Sequence, residues 1–363
     1  MHDLATVSVI QKIESIEGRD RIELATVENY SSIVQKGQFR EGEKVVYIYY
    51  DAILPVREEF EFLRKRCWSP RYNDFRIKPM KMGGVVSEGL VMPLSILKDG
   101  ASLPPGTVVT DMLSIRRYAP EEENLKYVPQ VKIPSWAKLP VLSFVYRKFF
   151  SRSSRGMDYP VTVPKADEEN IEKCWDKVAS MNDEFIVTEK MEGTAVMYML
   201  DRRKRLHVFS HNREAGFTGV WGSVADEYRI ETGLRKLKGV LKMDIAIEGE
   251  ICAPGIQKNI YGFAEPRFFL YAAYDIKTGR RFTWSELERL AAMLVLETVP
   301  FIKKSRILPS LDAMLADCEG KSVFSQVKNP PREGLVWRTE DGSVHFKCKS
   351  RPYKVWFISG EKE

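Results

Sequence analysis

Lysine 190 stands where a nucleophile could work. Glu189-Lys190-Met191-Glu192-Gly193-Thr194 joins two apolar, β-prone runs, 185–188 and 195–200. An amine lodged there can lose its proton and attack phosphorus or carbon. Lys-x-x-Gly alone is a weak signal, so the rest of the chain must supply what such an amine needs. Four clusters lie downstream. Ser210-His211-Asn212-Arg213 ends a strand-like run with polar and cationic groups. Glu248-Gly249-Glu250 places two carboxylates at a strand end before Pro254-Gly255. Glu333 opens another strand-like run, and Lys347 and Lys349 stand at i and i+2, hence on one face of a strand. Neighbouring lysines would disfavour the ammonium form of Lys190 and help hold a triphosphate. The carboxylates would hold a divalent metal, often through waters, and a metal beside Lys190 would lower its pKa further.

Those groups need elements to position them. Residues 158–363 read as mixed α/β, with strand-like runs at 207–210, 245–247, 268–276, 334–337 and 344–347. Helices are expected over 167–178, acidic in its first turn, and over 284–296, capped by Thr283 or Ser285. Residues 1–118 read as mostly β. The strongest strand is 43–50, rich in Val, Ile and Tyr, and shorter runs fall at 5–10, 22–27, 32–34, 75–77, 85–86 and 89–92. So many short strands suggest a small barrel, an OB type being one candidate, which would suit a single strand of nucleic acid. Residues 119–157 read as a connector broken by Pro120, Pro129, Pro134 and Pro140. It has no acidic residue from 124 to 157, while basic side chains alternate with Trp136, Phe144, Tyr146, Phe149 and Phe150. That mixture suits a nucleic-acid backbone with stacked bases, or a linker docked on a domain.

Composition sets the class. A chain of 363 residues exceeds what one compact core usually serves, so two domains are expected. The content is 44% hydrophobic and 29% charged, as in ordinary soluble proteins, and the net charge of +6 fits a polyanionic partner without proving one. Five scattered cysteines form no Cys-x-x-Cys pair, which argues for buried, reduced thiols in an intracellular protein, cytoplasmic or nuclear. No signal peptide is expected at the start, and apolar stretches such as 139–146 are too short to span a bilayer.

Residues 185–349 resemble the covalent nucleotidyltransferase superfamily of polynucleotide ligases and RNA capping enzymes. Lys190-Met191-Glu192-Gly193 resembles the nucleotidyl-lysine motif, and Gly249-Glu250 followed by Pro254-Gly255-Ile256-Gln257 resembles the third motif in its RNA-ligase form. The run 268–276 resembles the next motif, Glu333-Gly334-Leu335-Val336 the fourth, and Lys347-Cys348-Lys349 the fifth. Only 14 residues follow Lys349, and the β domain lies in front. That order is similar to the fifth family of ATP-dependent RNA ligases. The resemblance implies an α+β chain: an OB-type barrel over 1–118, the connector over 119–157, then an adenylyltransferase domain over 158–363. That last domain would be an ATP-grasp-like ligase core of antiparallel sheets and flanking helices.

The resemblance also implies roles. Lys190 would carry AMP. Lys347 and Lys349 would stabilise the α-phosphate. Glu192, Glu250 and Glu333 would position Mg2+ or Mn2+, with Glu250 also a ribose contact. Tyr274 would stack on adenine, Glu189 would read its amino group, and Gly193 would line the nucleotide site. Two positions depart from the pattern. Glu192 stands where the superfamily often has aspartate, and Ser210-His211-Asn212 stands where a Ser-Arg-Asn is usual, leaving His211 or Arg213 to contact phosphate or ribose. The expected substrates are ATP and RNA ends, including a nicked duplex with an RNA 3′-OH strand, acted on by a monomer away from membranes. The rivals are a capping-type guanylyltransferase and an RNA-binding protein with a degenerate ligase core.

Overall fold

The computed structural model describes residues 3–82, 84–98, 100–118, 160, 162–164, 168–201, 204–210, 213–214, 217, 219–324 and 330–359. The connector over 119–157, His211 and Asn212 lie outside these residues. The chain divides into two compact units. One comprises 1–119, 171–176 and 351–363; the other comprises 120–170 and 177–350.

The first unit is built on a five-stranded antiparallel sheet. Its order is Gly89–Pro93, Lys44–Tyr49, Ala5–Ser15, Ile22–Val27, Tyr30–Gln35. The Glu88 N–H donates to Ser31 O at 2.7 Å, so the outer strands approach and the barrel is nearly closed. The unbroken apolar run at 45–49 has a physical reason: both faces of that strand are covered. Val46 and Ile48 point into one cluster with Phe60 and Phe75, while Val45, Tyr47 and Tyr49 point into another around Tyr30. A smaller sheet of Arg116–Arg117, Ala52–Leu54, Asp74–Arg76 and Trp68–Ser69 packs on the first cluster.

This unit contains a buried charge cluster. Lys354 is 5% exposed, and its Nζ lies 2.7 Å from Glu88 Oε1 and 3.2 Å from Glu172 Oε1. Arg351 lies 3.9 Å from Glu88. Burial opposes the Lys354 charge, but Glu172 and Glu88 outweigh it and hold the ammonium well above its ordinary range.

The second unit has two sheets. One runs Glu169–Asn170, His345–Lys349, Gly334–Thr339, Phe185–Glu189, Phe301–Ser305. The other runs Arg213–Glu214, Leu206–Ser210, Thr194–Leu200, Ile245–Cys252, Arg267–Asp275, Glu297–Thr298. The helix Trp284–Leu294 starts as expected: Thr283 and Glu286 form a reciprocal capping box. It stops two residues early, because Val295 takes a left-handed conformation with φ 56°. The helix expected over 167–178 starts only at Ile171. Asp167 lies outside the described residues, and Glu169–Asn170 instead form a short parallel edge strand against Phe346–Lys347. An open strand edge offers unpaired backbone groups, and that pairing competes with the helical turn. The helices Val220–Glu227, Ile230–Leu241 and Leu311–Asp317 were not read from the sequence. All five cysteines are buried and unbridged.

Candidate active site

Lys190 follows a strand whose side chains alternate strictly. Phe185 packs on Trp337 and Phe346, with ring centroids 6.1 and 5.6 Å away. Period-two alternation puts Ile186, Thr188 and Lys190 on the opposite face from Phe185, Val187 and Glu189. The Lys190 N–H donates to Gly334 O at 3.0 Å, which seats the lysine beside Glu333. Its Nζ lies 2.9 Å from Glu333 Oε1, and Lys349 Nζ lies 3.9 Å from the same oxygen.

Gly334 makes that convergence possible. Its φ is +157°, and a Cβ there would lie 2.1 Å from Cys348 O and 3.0 Å from Lys349 Cα. The two strands touch backbone to backbone, and Glu333 is delivered between two lysines. Phe346 and Cys348 are buried at 1% and 0% exposure, so their alternating neighbours Lys347 and Lys349 share the other face, as the sequence spacing implied.

The charge state of Lys190 differs from the expectation. Burial disfavours its ammonium, but Glu333, then Glu250 and Glu168, favour it more strongly, and the pKa is raised. The nearest groups are acids, so neighbouring lysines do not set its protonation in the nucleotide-free protein.

Glu250 comes from the second sheet, where it pairs with Ala195. Gly193 explains the glycine of the lysine motif: a Cβ would lie 2.4 Å from Ile251 O and 2.9 Å from Glu250 Cγ. Glu192 is 3% exposed and turns to the 258–260 segment, its carboxylate accepting from Lys258 N–H at 3.2 Å and Ile260 N–H at 3.1 Å. Its own N–H donates to Tyr261 Oη at 2.6 Å. Glu192 thus fixes the turn at 258–260. Glu189 faces away from Lys190. Its Oε2 accepts from Val323 N–H at 3.0 Å, and burial raises its pKa despite a hydrogen bond from Ser322. Tyr274 is 2% exposed within a cluster of Val163, Met197, Met199, Phe209 and Ala246, with the Arg281 guanidinium 5.9 Å from its ring. Arg213 pairs with Ser210 through its backbone, and its side chain, like His211, lies outside the described residues.

Sequence reading missed three residues. Glu168 precedes the edge strand, and Lys347, Arg338 and Lys190 together lower its pKa against the effect of burial. Arg338 is 4% exposed and donates through Nη1 to Tyr271 O at 2.7 Å, and burial with the nearby Arg281 brings its pKa down to about 10. Tyr271 sits at the bulge where Glu248 pairs Ala272 and Gly249 pairs Leu270. Burial raises its phenol, with Glu248 and Glu250 adding to the shift. Alternation from Val336 would have found Arg338; the acidic run before Ile171 read as a helix start and hid Glu168.

The donor set fits a hard cation. Glu250 and Glu333 flank Lys190 with carboxylate oxygens, the ligands that Mg2+ and Mn2+ take. Among the described residues no three acidic, histidine or cysteine side chains converge as a closed cage.

A barrel unit and a two-sheet domain, with a lysine facing carboxylates and a second lysine, define a nucleotidyltransferase architecture. Residues 183–356 match the RNA ligase family model and residues 4–94 an OB-fold domain model, so the chain carries an RNA ligase domain behind an OB-fold domain. No curated protein matches the sequence. Among solved structures, Naegleria gruberi RNA ligase with PPi superposes at a TM-score of 0.80 and 24% identity, covering 97% of this chain and 98% of that one. A lysine-to-alanine mutant of the same ligase, with ATP and Mn, gives 0.80 and 23%, covering 98% of each. An apo aspartate-to-alanine mutant gives 0.81 and 22%, covering 99% of each. These likenesses establish the fold. Among the described residues no helix is long and apolar enough to cross a membrane.

Proposed function

We propose that this protein is an ATP-dependent RNA ligase that works through an AMP adduct on Lys190. The observation that carries the reading is the convergence of Lys190 and Lys349 on Glu333, at 2.9 and 3.9 Å, inside a domain of the RNA ligase family. The amine of Lys190 attacks the α-phosphorus of ATP; a P–N bond forms, the bond to the β-phosphate oxygen breaks, and pyrophosphate leaves. A 5′-phosphate oxygen of RNA then attacks the same phosphorus and breaks the P–N bond, which gives an adenylylated end. A 3′-OH attacks the RNA phosphorus, forms the phosphodiester and expels AMP.

Before attack the Lys190 ammonium must lose a proton, and Glu333 Oε1 is the nearest acceptor. Lys347 and Lys349 stabilise the charge that develops on the α-phosphate oxygens. Glu250 and Glu333 would hold the divalent ion, with Glu192 reaching it through water. Bound there, the ion would neutralise the acids that keep Lys190 charged and polarise the α-phosphate. Gly193 lines the nucleotide site, Tyr274 borders the base, Glu189 supports the wall behind Lys190 through the 322–323 turn, and His211 or Arg213 reaches the phosphates or ribose. The barrel unit and the basic, aromatic 119–157 segment engage the RNA, which includes a nicked duplex with an RNA 3′-OH strand. The enzyme acts as an intracellular monomer in RNA repair.

The test is label transfer. With Mg2+ or Mn2+ and α-labelled ATP, the protein takes up AMP and Lys190→Ala does not; a Lys190→Ala protein that still forms the adduct overturns the assignment. Labelling by GTP alone makes the protein a guanylyltransferase instead. Sealing of a 5′-labelled nicked duplex, with RNA or DNA 3′-OH strands in parallel, tests the substrate.

A further inference from the structure

We infer that Arg332 is a positioning residue of the adduct-forming step: its guanidinium, forked onto the carbonyls that end the Leu311–Asp317 helix, holds Glu333 between Lys190 and Lys349. The role rests on the ligase reading and adds to it a residue that acts through Glu333.

Glu333 stands where the sheet begins. Strand pairing starts just after it, with Gly334 against Lys349 and Leu335 against Glu189. On the Lys349 side, Ser350 N–H donates to Glu333 O at 2.9 Å. On the other side the chain enters through Pro330 and Pro331, which have no N–H to give. Anchoring there falls to Arg332. Its N–H donates to Gly320 O at 2.9 Å, beside an antiparallel bridge between Lys321 and Pro331. Its side chain donates to three more carbonyls: Nε to Cys318 O at 3.0 Å, and Nη2 to Asp317 O at 2.9 Å and Glu319 O at 2.8 Å.

The carbonyls at a helix end lack intrahelical partners and carry negative partial charge, so a cation is favoured there. A planar fork with separated donors fixes its own orientation on them, which a point-like ammonium does not. The helix is itself well anchored. Met314 and Leu315 are buried, and Cys348 Sγ donates to Met314 O at 3.3 Å. Cys348 lies between Lys347 and Lys349, so the helix rests on the buried face of the strand that carries both lysines. Arg332 thereby ties the residue before Glu333 to the frame that holds Lys349. Lys190 joins the same frame through its bond to Gly334 O. The 2.9 and 3.9 Å approaches of the two amines to Glu333 Oε1 are the product of that frame.

The experiment compares wild type, Arg332→Ala, Arg332→Lys, Glu333→Gln and the double variant Arg332→Ala/Glu333→Gln. Two things are measured. One is kcat and KM for ATP in AMP-adduct formation. The other is acetylation of Lys190 relative to exposed lysines, at about pH 9, in protein free of nucleotide and metal. Arg332→Ala should lower kcat by about ten- to hundredfold, the cost of misplacing a group by about 1 Å, and leave KM for ATP nearly unchanged. It should also speed acetylation of Lys190 towards the Glu333→Gln rate, because the acid beside the amine has lost its place. In the Glu333→Gln background, Arg332→Ala should change neither measurement further, as for two residues that act as a unit. Arg332→Lys keeps the charge without the fork and should fall between wild type and Arg332→Ala; it takes the place of Arg332→Ala should that variant fail to fold. Losses that add to those of Glu333→Gln overturn the inference, since they mark a structural role. Wild-type kcat or wild-type acetylation in Arg332→Ala overturns it as well. A wild type that takes up no AMP overturns the ligase reading, and the acetylation comparison then still decides whether Arg332 holds Glu333.

Discussion

Glu333→Gln should let Lys190 give up its proton at a lower pH. The two groups are 2.9 Å apart and mostly buried, at 23% and 11% side-chain exposure. At an effective dielectric of about 20, such a pair attracts by about 6 kcal/mol, and at about 40 by about 3 kcal/mol. One pKa unit corresponds to about 1.4 kcal/mol, so removing the charge should lower the Lys190 pKa by about 2 to 4 units. Glu250 and Glu168 remain and hold part of the shift. The sign of the linkage follows from the raised value. The pair stabilises the fold fully below the unfolded lysine pKa of about 10.4 and loses that contribution as pH rises through the folded value. Neutral pH therefore shows no slope from Lys190. Competitive acetylation of nucleotide-free protein from pH 7 to 11, read by peptide mass spectrometry, measures the amine directly. Wild-type Lys190 should reach no plateau in that range, whereas Glu333→Gln should show a midpoint within it. A Lys190 profile identical in the two proteins would refute the claim that Glu333 holds the proton.

Gly334→Ala should destabilise by about 2 to 4 kcal/mol, because a backbone oxygen at 2.1 Å cannot yield as a flexible side chain would; urea unfolding measures it. Lys354→Met should cost about 3 to 5 kcal/mol, since Glu88 and Glu172 would be left buried without their cation. Denaturant unfolding checks this as well, and wild-type stability in Lys354→Met would show that the cluster contributes nothing.

The meeting of Lys190, Glu333 and Lys349 was legible in the sequence because Lys349 lies in an alternating strand and the other two border one, and Gly193 and Gly334 mark where backbones must touch. The central strand of the barrel was legible for a different reason: 45–49 is apolar on both faces because both are covered. What escaped depends on partners distant in sequence. Glu168 reads as the start of a helix until the open edge of His345–Lys349 captures its neighbours. For Glu192 and Glu189 the residue types suggested site carboxylates, but not the hydrogen bonds they accept from 258–260 and from Val323, each more than 60 residues away. The charge on Lys190 escaped too, because residue types give no distances, and here the acids are the nearer groups.

The lysine that neutralises Glu88 arrives 266 residues after it. Glu172 arrives within the same gap, and it too precedes the cation, by 182 residues. The barrel strands pair with one another within residues 5–93, whereas the buried acids meet Lys354 only across a far longer stretch of chain. Closing so long a loop carries an entropic cost that grows only slowly with length, yet it delays the final step. Every strand of the barrel therefore precedes Lys354 in sequence, and a chain cut before Lys354 would contain every barrel strand without the cation that completes its core.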